Sequence, residues 1–566
     1  MKKILFFNVR SKWTWAFFTL TSFFTILFLT DCDTPASGPD TGNGGNTTGV
    51  QTDFEIDESG NITGSEFLTS TSWKVPHDVM SQNPTQEELA RFAWKEFIAL
   101  NWPSDYDTTT YSRGKPDQSK TVIDFLKAGE HPDLPLVWET YKHRIEVYPL
   151  DTSNYEKNFD SPPRYSYKVE GQSSIPSLDP SNKTALIDVR HVFNNLDETS
   201  EINLATLFVS GDPDAPGAAK FVNSHTDTAS FLPGAPRRII YEAKANEVFF
   251  NYVKNKKLYD TTIKKNLLTQ TAIKIQARGA DTLGGKCLDG NNDIISFPCG
   301  INGDDRPIAE GSIEVKASWR RLTRKEANSG RYLTSPVLYY RRGTRTTNSD
   351  SIYYQKVPAT ATENSLPIGL VGLHIIHKTE NVPTYVFATF EQVDNLKRSQ
   401  EHNDLFFFNR NDNPKIYPGV QQVTQRAHDM LTLTDTLNMK VHAEFTAVDP
   451  NTVWQYYKLI GVQGPATESQ DGNNFYLANI VTETNEVLRS FKGTLDNNTG
   501  IMNPSQANTR VGPHAIITGG CKGCHANAQD ADFSFITKNG PFNQENAKYS
   551  PPDVVNQPLL KGLKNN

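Results

Sequence analysis

Clustered positive charge is missing from this chain. Its formal net charge is −7 over 566 residues, with 57 Lys and Arg against 64 Asp and Glu, and its isoelectric point is near 6.0. Neutralising a phosphate backbone takes Lys and Arg gathered on one face, so nucleic acid is set aside as the main partner. Also absent are any internal repeat and any G-x-S-x-G, Walker or Rossmann pattern, which removes repeat arrays, nucleophile-elbow hydrolases and the common nucleotide-binding loops as first expectations. Cysteine is scarce, at five residues, and methionine equally so. With so few, the position of each cysteine is informative.

The N-terminus sets the compartment. Lys2, Lys3, Arg10 and Lys12 precede an apolar run from Trp13 to Leu29, the order of charged and apolar regions in a secretory signal. Export is therefore expected. An uncleaved anchor is the competing expectation, because the run approaches the ~20 apolar residues that span a bilayer. Cys32 follows in LTDCD, which resembles the lipobox of bacterial lipoproteins: Leu29 stands three places before the cysteine, although Asp31 replaces the small residue usual there. Lipidation of Cys32 would tie the chain to a membrane through a lipid anchor. The Asp, Gly, Asn and Thr-rich stretch that follows cannot bury apolar surface and reads as a tether. The expected organisation is a signal over 1–31, a tether over 32–70, a body over 71–500 and a C-terminal segment over 501–566.

The other four cysteines fall into two pairs. Cys287 and Cys299 bracket the Gly and Asn-rich GGKCLDGNNDIISFPCG, and in an exported chain they are expected to form a disulfide. Cys521 and Cys524 are followed at once by His525 in GGCKGCHANAQD, the C-x-x-C-H pattern of covalent haem c attachment. With five Cys and twelve His in the chain, chance supplies on the order of 10⁻³ such matches. The spacing has a chemical reason. Positions i, i+3 and i+4 share one face of a helical turn, so two thiols can meet the vinyl groups of one porphyrin while His525 ligates the iron as proximal ligand. A redox disulfide between Cys521 and Cys524 would call for a thioredoxin-like βαβ context, and structural zinc for further Cys or His ligands nearby. Neither is visible in the flanking sequence.

What the motif lacks is a companion. The 41 residues after His525 contain neither Met nor His, so the chain does not end in an ordinary small cytochrome c. A sixth iron ligand would have to come from upstream, where the candidates are Met502, His514, His374, His377, His428 and His442, or the position would be open. His374 and His377, in LVGLHIIHKT, read as strand residues three apart and so face opposite sides. Only one of them could look toward a haem.

The body reads as α+β with a β-rich centre, followed by a small helical haem-binding segment. PTQEELARFAWKEFIALNWP predicts a helix: Thr85 and Glu88 form a capping box, Leu89, Phe92, Ala93, Phe97 and Leu100 make the apolar stripe, and Pro103 ends it. A second helix is expected in EVFFNYVKNKKLYDTTIKKNLL. Strands are expected in GSIEVKASWRRL, RYLTSPVLYYRR, SLPIGLVGLHIIHKT and TYVFATFEQVDN, from their β-branched and aromatic content. Glu391 and Asp394 are the one acidic pair in these strands that suggests acid and base work, though solvated strand-end carboxylates are the plainer expectation. The tryptophans Trp94, Trp102, Trp138, Trp319 and Trp454 are expected in the core.

The segments AWKEFIALNWP, VWETYKH, IEVKASWRRL, LVGLHIIHKT, YVFATFEQVDN, LANIVTET and GCKGCHANAQDADFSFI together resemble a family of large, mostly uncharacterised bacterial cytochrome-c-family proteins with one C-terminal haem motif. The resemblance runs from about Phe92 onward and implies export and a single haem c on Cys521, Cys524 and His525. The expected function is single-electron transfer with a redox partner protein in the cell envelope, periplasmic or at the surface. Two other classes stay open: a peroxidase- or oxidase-like haem enzyme with an open sixth position, and a binding module that uses haem as a structural staple.

Overall fold

Seven strands of one antiparallel sheet organise the chain; three of them come from segments expected to form strands, GSIEVKASWRRL, SLPIGLVGLHIIHKT and TYVFATFEQVDN, while the fourth expected segment, RYLTSPVLYYRR, joins a separate small sheet. The computed structural model describes residues 62–153, 155–165, 191–199, 239–278, 293–301, 309–342, 352–362, 365–395, 428–464 and 520–542, with short pieces at 55–56, 174–176, 186–188, 287, 303, 477, 479 and 481–482. The signal, Cys32, most of the tether, Met502, His514 and the chain beyond Phe542 lie outside these residues. The strands used below are β1 (Lys142–His143), β2 (Asn194–Leu196), β3 (Glu198–Thr199), β4 (Ile239–Ala245), β5 (Ile313–Arg321), β6 (Val337–Arg342), β7 (Ile352–Val357), β8 (Ile368–His377), β9 (Val386–Gln392) and β10 (Tyr457–Gln463). The helices used below are α1 (Gln86–Leu100), α2 (Arg144–Val147), α3 (Glu247–Asn255), α4 (Thr261–Arg278), α5 (His428–Val448), α6 (Gly520–His525) and α7 (Phe535–Asn539). The sheet order is β10-β9-β8-β5-β4-β1, with β3 also on β4, and a small sheet runs β7-β6-β2. The class is α+β, as expected.

β8 is buried at all ten positions, which requires cover on both faces of the sheet. One face is covered by α1 and α5. The capping box of α1 forms as its sequence predicts, Thr85 N–H donating to Glu88 Oε2 at 2.6 Å and Glu88 N–H to Thr85 Oγ1 at 3.2 Å. Losing such a cap costs about 1 kcal/mol. Its apolar stripe then meets the sheet: Phe97 lies 4.4 Å, centroid to centroid, from Phe390 of β9, and Trp94 5.1 Å from the same ring. Trp94 also donates to Asn438 of α5 at 3.1 Å. All five expected core tryptophans are fully buried.

The other face of β8 and β9 carries a separate apolar cluster of Ile376, Tyr385, Phe387, Ile460, Leu477, Cys521 and Phe533. The C-terminal segment thus seals this side of the sheet, and it belongs to the same structural unit, Val50–Asn566, as the rest of the body. At the other end of the chain, Phe67 and Leu68 are already buried and Phe67 N–H donates to Glu444. Packing against α5 therefore begins within the stretch read as tether.

One expected helix becomes two. Lys257 adopts a left-handed φ of 54° between α3 and α4, and Asp260 caps the start of α4 by accepting from Thr262 N–H at 2.8 Å. The run of Lys residues hid this break, because neither Gly nor Pro marks it. Among the described residues, no helix is long and apolar enough to cross a membrane.

Candidate haem site

The six residues GCKGCH form α6, entered through Gly520 at a φ of 71°, a left-handed conformation that glycine takes without strain. Cys521, Cys524 and His525 all border one cavity of about 230 Å³, whereas Lys522 and Gly523 do not. The i, i+3, i+4 spacing does what it predicts: it puts two thiols and an imidazole on the same wall. Cys521 is buried, and Cys524 and His525 are half-buried.

His525 is oriented from behind. Its Nδ1 lies 2.8 Å from the Phe533 carbonyl oxygen; a carbonyl can only accept, so Nδ1 carries the proton and Nε2 keeps its lone pair. Holding one ring nitrogen to a carbonyl is how proteins orient a metal-ligating histidine. Burial, with the Lys316 ammonium as a lesser cause, pushes the His525 pKa down to about 4, so the neutral ring dominates at neutral pH. The carbonyl itself comes from a strained turn. Asp532 and Phe533 are consecutive left-handed residues, with φ of 53° and 64°, and an aromatic residue in that region is an outlier. The turn is clamped by Asp532, which pairs with the buried Lys378 just past the end of β8 and accepts from Phe297 N–H at 2.7 Å.

The sheet supplies another part of the lining. Ala243 of β4, Glu314 and Lys316 of β5 and His374 and Ile376 of β8 all border the cavity. Registers Glu314 with Ile376, Lys316 with His374 and Lys316 with Ala243 place them side by side. His374 and His377 do face opposite ways. His374 looks toward His525, with ring centroids 5.8 Å apart. His377 turns to α1, where Nδ1 meets Glu96 at 2.8 Å and Nε2 meets the Glu310 carbonyl at 2.6 Å. His442 is also on the α1 side, its Nε2 donating to the Tyr457 carbonyl at 2.7 Å. The side chain of His428 lies outside the described residues.

Charge is unevenly supplied around the cavity. Arg144 of α2 is paired with Asp197 at 2.9 Å and Glu198 at 2.7 Å, and Lys316 reaches Glu198 at 3.7 Å. Glu314 is buried, and loss of water pushes its pKa up to about 8 against hydrogen bonds from Ser534 and the Ile536 backbone. Phe535 packs against His525 at 4.8 Å.

The disulfide expected between Cys287 and Cys299 is present, and its neighbour Phe297 is the residue tied to Asp532. Asp394 is engaged by Arg331, whose Nε lies 2.9 Å away, and Glu391 lies fully buried within β9. Neither borders the cavity, so they form no acid and base pair there. Among the described residues, no three His, Cys, Asp or Glu side chains gather as a metal ion alone would require. Sequence reading missed Asp532, Lys378, Arg144 and Glu314. Only Glu314 and Lys316 left a signal, as charged residues alternating with apolar ones in IEVKAS. No family model, curated protein or solved structure matches the chain.

Proposed function

We propose that this chain is an exported, envelope-anchored c-type cytochrome that carries one haem c and exchanges single electrons with a redox partner protein. The observation behind the reading is the shared wall of Cys521, Cys524 and His525, with Nδ1 of the histidine committed to Phe533 and Nε2 left as a ligand. The donor set fits the group. When bound, haem c supplies a one-electron iron couple. Cys521 and Cys524 would hold it through thioether bonds, each S–H adding across one vinyl group with sulfur on one carbon and hydrogen on the other. Arg144 and Lys316 border the cavity and would be the cations able to pair with porphyrin carboxylates, in exchange for their present partners Asp197 and Glu198. The lipobox-like Cys32 and the tether after it support attachment to a membrane in the periplasm or at the surface, and the resemblance to single-haem cytochrome-c-family proteins agrees with both parts.

One observation favours the enzyme class instead. Glu314 is a buried cavity carboxyl that can exchange a proton near neutral pH, which is what peroxide chemistry asks of a neighbouring group. Production of the full chain in a host that matures haem c decides both points. Haem staining of a denaturing gel and intact mass should find one haem per chain, and none on Cys521→Ser/Cys524→Ser. An unmodified wild-type chain would refute the haem reading. A ferrous spectrum that shifts under carbon monoxide would refute simple electron transfer in favour of the enzyme.

A further inference from the structure

We infer that His374 is the second axial ligand, so that the haem is held between His525 and His374 in a bis-histidine site. The inference rests on the haem reading above and adds to it the residue that the C-terminal segment does not contain.

Three observations converge. His374, on the sheet, and His525, on α6, border the same cavity. Their ring centroids are 5.8 Å apart. Metal–imidazole bonds are about 2.0–2.1 Å, and each ring centre lies about 1 Å from its nitrogen, so two imidazoles on one metal sit about 6 Å apart. The sheet wall stands at that separation. Finally, His374 is 6% exposed and its Nδ1 has no hydrogen-bond partner among the described residues, the Ala388 carbonyl being the least of the influences on the ring. Buried polar groups are normally satisfied, and an exception calls for a missing partner.

The alternatives among the described residues are occupied. His377 and His442 are bonded on the far side of the sheet. Lys316, the one lysine on the cavity wall, faces Glu198 and lies over the Tyr241 ring at 4.7 Å. Among the described residues, no methionine borders the cavity. Its place on β8 also fits a ligand, since a central strand with neighbours on both sides fixes a side chain more firmly than a loop does. Bis-histidine ligation gives a low-spin iron without a vacant position, which suits electron transfer rather than ligand binding.

Optical and electron paramagnetic resonance spectra of the full chain, matured with haem, test this. The wild type should be low-spin in both oxidation states and unchanged by carbon monoxide. His374→Ala should keep one covalent haem per chain, become high-spin, bind carbon monoxide, and return to low-spin when imidazole is added. A fully haem-loaded His374→Ala with the wild-type low-spin spectrum overturns the inference while leaving the haem reading intact; a wild type that binds carbon monoxide also overturns it. A wild type without haem overturns both. If His374→Ala does not fold, His374→Met provides the second route. A thioether in place of the imidazole should raise the midpoint potential and add a sulfur-to-iron charge-transfer band, and an unchanged potential and spectrum count against His374.

Discussion

Asp532 is where a single atom group holds the site to the body, and replacing it gives a large, calculable loss. Its carboxylate pairs with Lys378 and accepts from Phe297 N–H at 2.7 Å, with both side chains buried. Asp532→Ala leaves a buried ammonium with, among the described residues, only the Ser296 hydroxyl at 3.3 Å and the Tyr385 ring. Breaking a buried pair from one side costs about 3–5 kcal/mol. An orphaned backbone N–H adds about 1–3 kcal/mol, and a left-handed alanine about 1 kcal/mol. These losses overlap at one locus, so about 4–6 kcal/mol is expected in total. Asp532→Asn keeps an acceptor and tolerates φ of 53°, and should lose about 3 kcal/mol, from the charge alone. Asp532→Asn/Lys378→Met removes both charges and should recover most of that loss. Urea unfolding followed by tryptophan fluorescence reads all of this, because five tryptophans are fully buried. An Asp532→Ala protein within about 1 kcal/mol of wild type, or a double variant no more stable than Asp532→Asn, would refute the pairing argument.

Three further outcomes follow from the packing and charge. Gly300→Ala should lose about 3 kcal/mol or more, since a Cβ there would stand 1.9 Å from the His77 carbonyl oxygen and 2.8 Å from that of Glu310, both backbone atoms; an unchanged urea midpoint would contradict it. Cys287→Ser/Cys299→Ser opens a loop closed over a separation of 12 residues, and the chain-entropy relation puts the loss at about 3 kcal/mol. Equal midpoints for this variant and the oxidised wild type would show that the loop is held by other contacts. The buried Lys142 has its pKa pushed down to about 7 by burial, then by Arg113, against the attraction of Glu146. The unfolded chain keeps that proton up to the ordinary lysine range, so stability is lost as pH falls from about 10 toward about 7, at up to about 1.4 kcal/mol per unit. Lys142→Met should flatten this slope while Arg113 continues to hold Glu146 at 2.9 Å; an unaltered slope would assign the titration elsewhere.

Local patterns were legible because they depend on neighbours in sequence. The capping box and apolar stripe of α1, the β-branched and aromatic content of β5, β8 and β9, the Cys287–Cys299 bridge and the one-turn geometry of Cys521, Cys524 and His525 are all short-range. The break at Lys257 was not legible, since a left-handed lysine carries no compositional mark. Nor was the clamp on the Phe533 carbonyl, because Lys378 and Asp532 are 154 residues apart.

By itself the sequence determined the chemistry on offer: two thiols and an imidazole on one helical turn, after an export-like N-terminus, with no Met or His following. It also determined that His374 and His377 face opposite sides of their strand. Which of the two meets the motif was decided only in three dimensions. Helix α1 brings Glu96 to His377 on one face of the sheet, while the C-terminal segment brings His525 to within 5.8 Å of His374 on the other. Strand periodicity separates the two faces, but only the packing of distant segments against the sheet determines what each face meets.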